Sequence, residues 1–158
     1  MGTTEPPTFL KLVGVHERLS ELFLLHQEAL LAGDLALAKA RLAEYELDLS
    51  AHMRAEEEIL MPIYERAGEV PRGPAELFTG EHRKMLRFLR RFRDRLAELA
   101  RSGRPPATRE VIALLDEEAP FKGLVEHHDL RERLILYPTL DRVTSEEERV
   151  ELLRRCGA

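Results

Sequence analysis

Residues 35–64 read LALAKARLAEYELDLSAHMRAEEEILMPIY, and this stretch decides the fold. Within it Leu35, Ala38, Leu42, Tyr45, Leu49, His52, Glu56, Ile59 and Ile63 follow one another in steps of three and four. Such steps return to one face of an α-helix, so the segment is a helix with one face turned to a core. Two members of that face do not suit an ordinary core. His52 and Glu56 lie one turn apart on it, where an unpaired imidazole or an ionised carboxylate is costly to bury.

The same spacing recurs three more times. One run is Phe9, Leu12, His16, Leu19, Phe23, His26 and Leu30. A second is Phe78, His82, Met85, Leu89, Phe92, Leu96 and Leu99, and a third is Val111, Leu114, Glu118, Phe121, Val125, His128, Glu132 and Ile135. Breakers separate the runs: Gly33-Asp34 reads as a helix-ending glycine followed by an N-cap, then come Gly68, Pro71, Gly73 and Pro74, then Gly103, Pro105 and Pro106. The predicted helices span about 8–32, 34–67, 75–101 and 108–137. A short fifth helix over about 146–155 is opened by the capping-box pair Ser145 and Glu148. Pro62, Pro120 and Pro138 are each expected to kink or end a helix. Four inward faces with short connections predict an all-α, up-down four-helix bundle over about 8–138, followed by the short C-terminal helix, all in one domain of 158 residues.

Register can be tested by arithmetic, because residues at one depth of an antiparallel hairpin have numbers that add to a constant. His16 with His52, Leu19 with Leu49, Phe23 with Tyr45 and Leu12 with Glu56 all add to 68. His82 with His128, Met85 with Val125, Leu89 with Phe121 and Phe78 with Glu132 all add to 210. Hairpins docked at matching depth place four histidines, one per helix, in one core layer, with Glu56 and Glu132 one turn away. The chain also repeats itself: HMRAEEEILMP from His52 aligns without gaps on HDLRERLILYP from His128, so the hairpins read as related halves.

A layer of four imidazoles and two carboxylates needs a compensating charge. His and Glu at i and i+4 share one helical face and grip the same ion, and two such pairs supply donors for two metals. Imidazole and carboxylate without thiolate suit iron or manganese, with zinc possible.

These residues resemble the hemerythrin-like, or HHE cation-binding, domain family. The resemblance rests on His16, His52 with Glu56, His82, and His128 with Glu132, and on the Ile-Leu-Met-Pro and Ile-Leu-Tyr-Pro blocks, over roughly residues 8–140. It implies a bundle holding two iron ions joined by an oxo or hydroxo bridge. His16 and His52 would hold one iron, His82 and His128 the other, with Glu56 and Glu132 shared. The resemblance further implies a di-iron protein that binds or reacts with O2, peroxide or NO. In one respect the chain departs from oxygen-carrying members: Phe78 stands where they place a third histidine on one iron. An open place on both irons then suits peroxide or NO chemistry, or a further ligand from Glu57, Glu81 or Tyr45.

Other function classes stay in view: an iron-responsive sensor or store without turnover, and a helical interaction module whose donor set is vestigial or zinc-filled. With 24 basic against 29 acidic residues and a formal net charge of −5, a nucleic-acid partner held by bulk electrostatics is not expected. Nothing approaches the roughly 18 uninterrupted apolar residues of a membrane span. Pro6 occupies the position where a myristoylation motif wants Ser or Thr. A cytoplasmic location without membrane attachment is expected. The lone Cys156 allows no internal disulfide.

Among the remaining candidates, His127 lies off the inward face and reads as solvated. His26 and Glu118 are each ten residues from a site histidine, displaced toward the same end of the bundle. Two readings stay open for them: a buried hydrogen-bonded pair, or separate satisfaction by backbone or water. Tyr45 and Phe23 read as core, and the basic run from Arg83 to Arg95 as a solvated outer face.

Overall fold

The computed structural model describes residues 5–158, and every regular element in it is helical. After a 3-10 turn at Phe9–Leu12 come α1 (Val13–Leu31) and α2 (Leu35–Ala55). A π-helical turn at Glu56–Leu60 leads into α3 (Met61–Tyr64), then α4 (Ala75–Ala100) and α5 (Thr108–Arg131). A second π turn at Glu132–Leu136 leads into α6 (Tyr137–Arg142), and α7 (Glu146–Arg155) closes the chain.

The start and stop signals act as the sequence predicts. Gly33 takes φ 73°, and the Asp34 carboxylate accepts from the Leu37 N–H at 2.9 Å, opening α2. Ser145 and Glu148 form the reciprocal capping box of α7, at 3.2 and 2.9 Å. The long helices touch in a closed ring, α1 on α2, α2 on α4, α4 on α5 and α5 on α1, which is a helical bundle. Phe23 meets Tyr45 and His16 meets His52, so α2 runs back along α1 in the register the sequence arithmetic gave.

The prolines behave differently from expectation. Pro120 lies inside α5 without ending it; both Pro120 and Asp116, whose carbonyl loses its helical partner, are exposed, so the lost bond falls on the solvent side of the helix and not in the core. Pro62 and Pro138 do not stop their helices either, and the last long run continues to Arg142 rather than ending near 137. Each follows a π turn, closed by a bond from the Met61 N–H to the Glu56 carbonyl and from the Tyr137 N–H to the Glu132 carbonyl. A π turn adds one residue to the repeat. The inward face therefore slips by one position. Ile59, Ile63 and Ile135 are only half-buried, whereas Leu60, Met61 and Tyr64, and at the matched positions Leu136, Tyr137 and Leu140, are buried.

Two apolar clusters result. One, with Phe23, Leu42, Leu89, Phe92 and Phe121, fills one end of the bundle; the other, with Phe9, Leu60, Tyr64, Phe78 and Leu140, fills the opposite end, where Leu152 and Leu153 of α7 join it. The loop before α4 packs closely because residue 73 is glycine. A Cβ there would lie 2.6 Å from the Ile135 side chain and 2.7 Å from the Tyr64 hydroxyl. Among the described residues no helix is long and apolar enough to cross a membrane.

Candidate metal centre

Between the two apolar clusters lies a polar layer. His16, His82, His128, Glu56 and Glu132 are buried, and His52 is nearly so. All six residues singled out in the sequence are brought together there. They form two overlapping groups of four donors, His16, His52, Glu56 and Glu132, and His82, His128, Glu56 and Glu132. Within each group one atom per residue lies within 4.8 Å of the others.

The geometry follows from helix position. His52 and Glu56 are one turn apart on α2 and the following π turn, with Nε2 to Oε1 at 2.9 Å. His128 and Glu132 repeat this on α5 at 3.4 Å. The two carboxylates then reach across the bundle. Glu56 Oε2 lies 3.1 Å from His82 Nε2, and Glu132 Oε1 lies 3.0 Å from His16 Nε2.

Each histidine pair turns its Nε2 atoms toward one another at 3.2 Å, His16 to His52 and His82 to His128. Two imidazole nitrogens so placed, each about 2.1 Å from a shared ion, would subtend about 100° there, a normal ligand–metal–ligand angle. Glu56 Oε2 and both oxygens of Glu132 are buried with no aligned hydrogen-bond donor. Buried carboxylate oxygens in that condition are expensive, and a cation between the imidazoles would satisfy them. The donor set therefore fits a metal, and its nitrogen and oxygen composition suits a transition metal.

Without a metal, protons do part of that work. Burial lowers the basicity of His52, but the charges of Glu56 and Glu132 outweigh it and push its pKa well above the usual imidazole value. His128 is likewise pushed up to about 10, with burial opposed mainly by Glu132. Burial raises the Glu132 pKa, yet His128 and further hydrogen bonds hold it well below the ordinary carboxylate value. Binding a cation must displace such protons.

Two side chains that the sequence did not single out approach the layer, Asp129, whose Oδ1 lies 3.8 Å from His16 Nε2, and Tyr137. The Tyr137 hydroxyl donates to Glu56 Oε1 at 3.1 Å and lies 3.1 Å from His16 Nε2. Its signal was the tyrosine of the Ile-Leu-Tyr-Pro block, but an unbroken α-helix turns Ile135 inward instead. Burial and the neighbouring Glu56 and Glu132 push its pKa well up, so the phenol stays protonated and donates. Phe78 is fully buried with its ring 6.1 Å from that of His128, filling the place noted above.

Of the candidate extra ligands, Glu57 and Glu81 face the outer nitrogens of His82 and His128 instead of the layer's centre. Tyr45 packs its ring against Phe23 and Phe121 in the apolar cluster. His127 is exposed. His26 and Glu118 do pair, Nε2 to Oε2 at 2.6 Å and fully buried, while His26 Nδ1 donates to the Ala38 carbonyl at 2.9 Å. His16 is the member of the layer that meets a surface groove. A groove of about 540 Å³ between α1 and α5 is lined by His16, Ser20, Leu24 and Asp129, and a cavity of about 240 Å³ beside it runs in to Phe23, Tyr45 and Phe121.

A helical bundle with a central His/Glu layer defines a class of cation-binding proteins. The chain belongs to the hemerythrin HHE cation-binding domain family, whose profile matches residues 10–140. Comparison with curated proteins finds no match, and neither does comparison with solved structures.

Proposed function

We propose that the protein is a non-haem di-iron protein that binds or turns over O2, peroxide or NO. The observation that carries this reading is the pair of four-donor groups sharing Glu56 and Glu132. Two ions held between them, one by His16 and His52 and one by His82 and His128, would neutralise both carboxylates and use every Nε2 of the layer. Iron bound there would supply one-electron redox chemistry and positions open to a small ligand. The chain's own residues would do the rest. Tyr137 holds Glu56 in place and offers a proton next to His16, and the apolar packing on both sides keeps bulk water out. The groove beside His16 and Asp129 offers a small molecule an approach to the layer.

The test is metal content in protein produced with added iron and purified without chelator, followed by stopped-flow decay of peroxide and by NO binding. About two iron per chain is expected, as two donor groups require, with peroxide decay faster than free iron gives. Zinc, a single metal or none would overturn the di-iron reading, and iron without peroxide or NO reactivity would overturn the reactive one.

The unsatisfied oxygens of Glu56 and Glu132 favour a second reading, an iron-responsive sensor or store, since a core left short of counter-charge couples metal binding to folding. Tight, strongly stabilising iron binding with no turnover would single it out.

A further inference from the structure

The four histidines are not held alike. His82 Nδ1 meets Glu57 Oε1 at 2.8 Å, and His128 Nδ1 meets Glu81 Oε1 at 3.4 Å. Glu81 is itself gripped by the Arg131 guanidinium. Glu57 reaches from the π turn after α2 to α4, and Glu81 reaches from α4 to α5, so each outer carboxylate ties a histidine to the neighbouring helix. In contrast, every carboxylate contact of His16 and His52 falls on Nε2, the nitrogen facing the layer. The internal repeat does not carry this feature across: Arg133 stands at the position matching Glu57.

A carboxylate on the outer N–H of an imidazole fixes the tautomer, points the other nitrogen's lone pair inward and makes it a stronger donor. We propose that Glu57 and Glu81 are positioning residues that make the two halves of the centre unequal, so that the His82–His128 half takes a metal ion first and holds it more tightly. This rests on the metal-binding reading above. Neither carboxylate acts at full strength. Glu57 makes the shorter contact, but its side chain is 43% exposed and its charge is screened by water. Glu81 is 9% exposed but shares its contacting oxygen with Arg131.

The experiment is a Co(II) titration against a competing chelator, because Co(II) is coloured and needs no oxidant or reductant. Wild-type protein is expected to fill in two steps of different affinity. Glu57→Gln and Glu81→Gln keep the side-chain shape and an acceptor oxygen while removing the charge. Each is expected to weaken the tighter step roughly 10- to 100-fold, the range for such outer partners, and to leave the weaker step unchanged. His16→Ala should remove the weaker step alone, which assigns the halves. Two metals bound with both steps shifted equally, or with neither shifted, would overturn the proposal and leave the di-metal reading intact. Fewer than two metals in the wild type would overturn both. Because Glu57 is half-exposed, its variant keeps the test open if the buried Glu81→Gln fails to fold.

Discussion

The Tyr137 hydroxyl donates a 3.1 Å hydrogen bond to Glu56 Oε1, so a residue beyond the second π turn holds the carboxylate that begins the first. The matched position in the other half is Met61, which has no hydroxyl to offer Glu132, and both oxygens of Glu132 lack an aligned donor. The layer is thus chemically lopsided although the backbone repeats.

Tyr137→Phe keeps the ring and removes the donor. The metal-free protein is expected to lose about 1–3 kcal/mol, the cost of depriving a buried charged acceptor of its partner. Urea denaturation of chelator-treated protein would measure it, and an unchanged midpoint and slope would show that His52, 2.9 Å from the same oxygen, suffices alone.

The buried pair His26 and Glu118 is braced from outside by Gln27, which donates to Glu118 Oε1 at 3.1 Å, and by Lys122, which donates to Gln27 at 3.1 Å. Replacing only one partner strands the other in an apolar environment. His26→Leu or Glu118→Leu alone is expected to cost about 3–5 kcal/mol, and the double substitution markedly less than the two costs added. A denaturation double-mutant cycle decides this, and simple additivity would count against a coupled pair.

The metal-free protein should have a stability maximum in mildly acidic solution. His128 titrates at about 10 when folded against an ordinary 6.5, so its contribution is complete below about 6.5 and is lost as pH rises through about 10. His52 shifts in the same direction. Glu132 is held below its ordinary 4.5, so its contribution is present above that value and is lost on acidification. Melting temperature against pH, with and without bound metal, would test this. Metal replaces the protons, so the alkaline decline should shrink in the loaded protein, and identical profiles would refute the linkage.

Cys156 is half-buried at the end of α7, and burial, reinforced by the charge of Glu56, pushes its thiol up to about 11. The thiolate is the reactive form, so alkylation at pH 8 should be markedly slower than for an unstructured cysteine and should reach that rate once the protein unfolds. Fast labelling of the folded protein would contradict this placement.

Much of the architecture was legible because it is written in a local period. The three-and-four spacing of Leu42, Tyr45, Leu49 and His52, or of Met85, Leu89 and Phe92, reports helix and inward face together, and Ser145 with Glu148 reports a helix start. The depth of His26 against Glu118 followed from counting residues along two such helices. Counting fails where the helix stops being α.

At Glu56 and Glu132 the hydrogen bonds lengthen by one residue ahead of a proline that has no N–H to give, and nothing in a 3.6-residue period announces it. That change turns Tyr137 onto Glu56 and leaves Ile135 half outside. The sequence by itself determined the helices, their inward faces and the six donors, because these depend on spacing within one segment. Only the tertiary structure decided that Glu57 and Glu81 sit behind His82 and His128 and that Tyr137 sits among the donors. Those contacts join different helical segments, and their geometry depends on how the segments are rotated against one another.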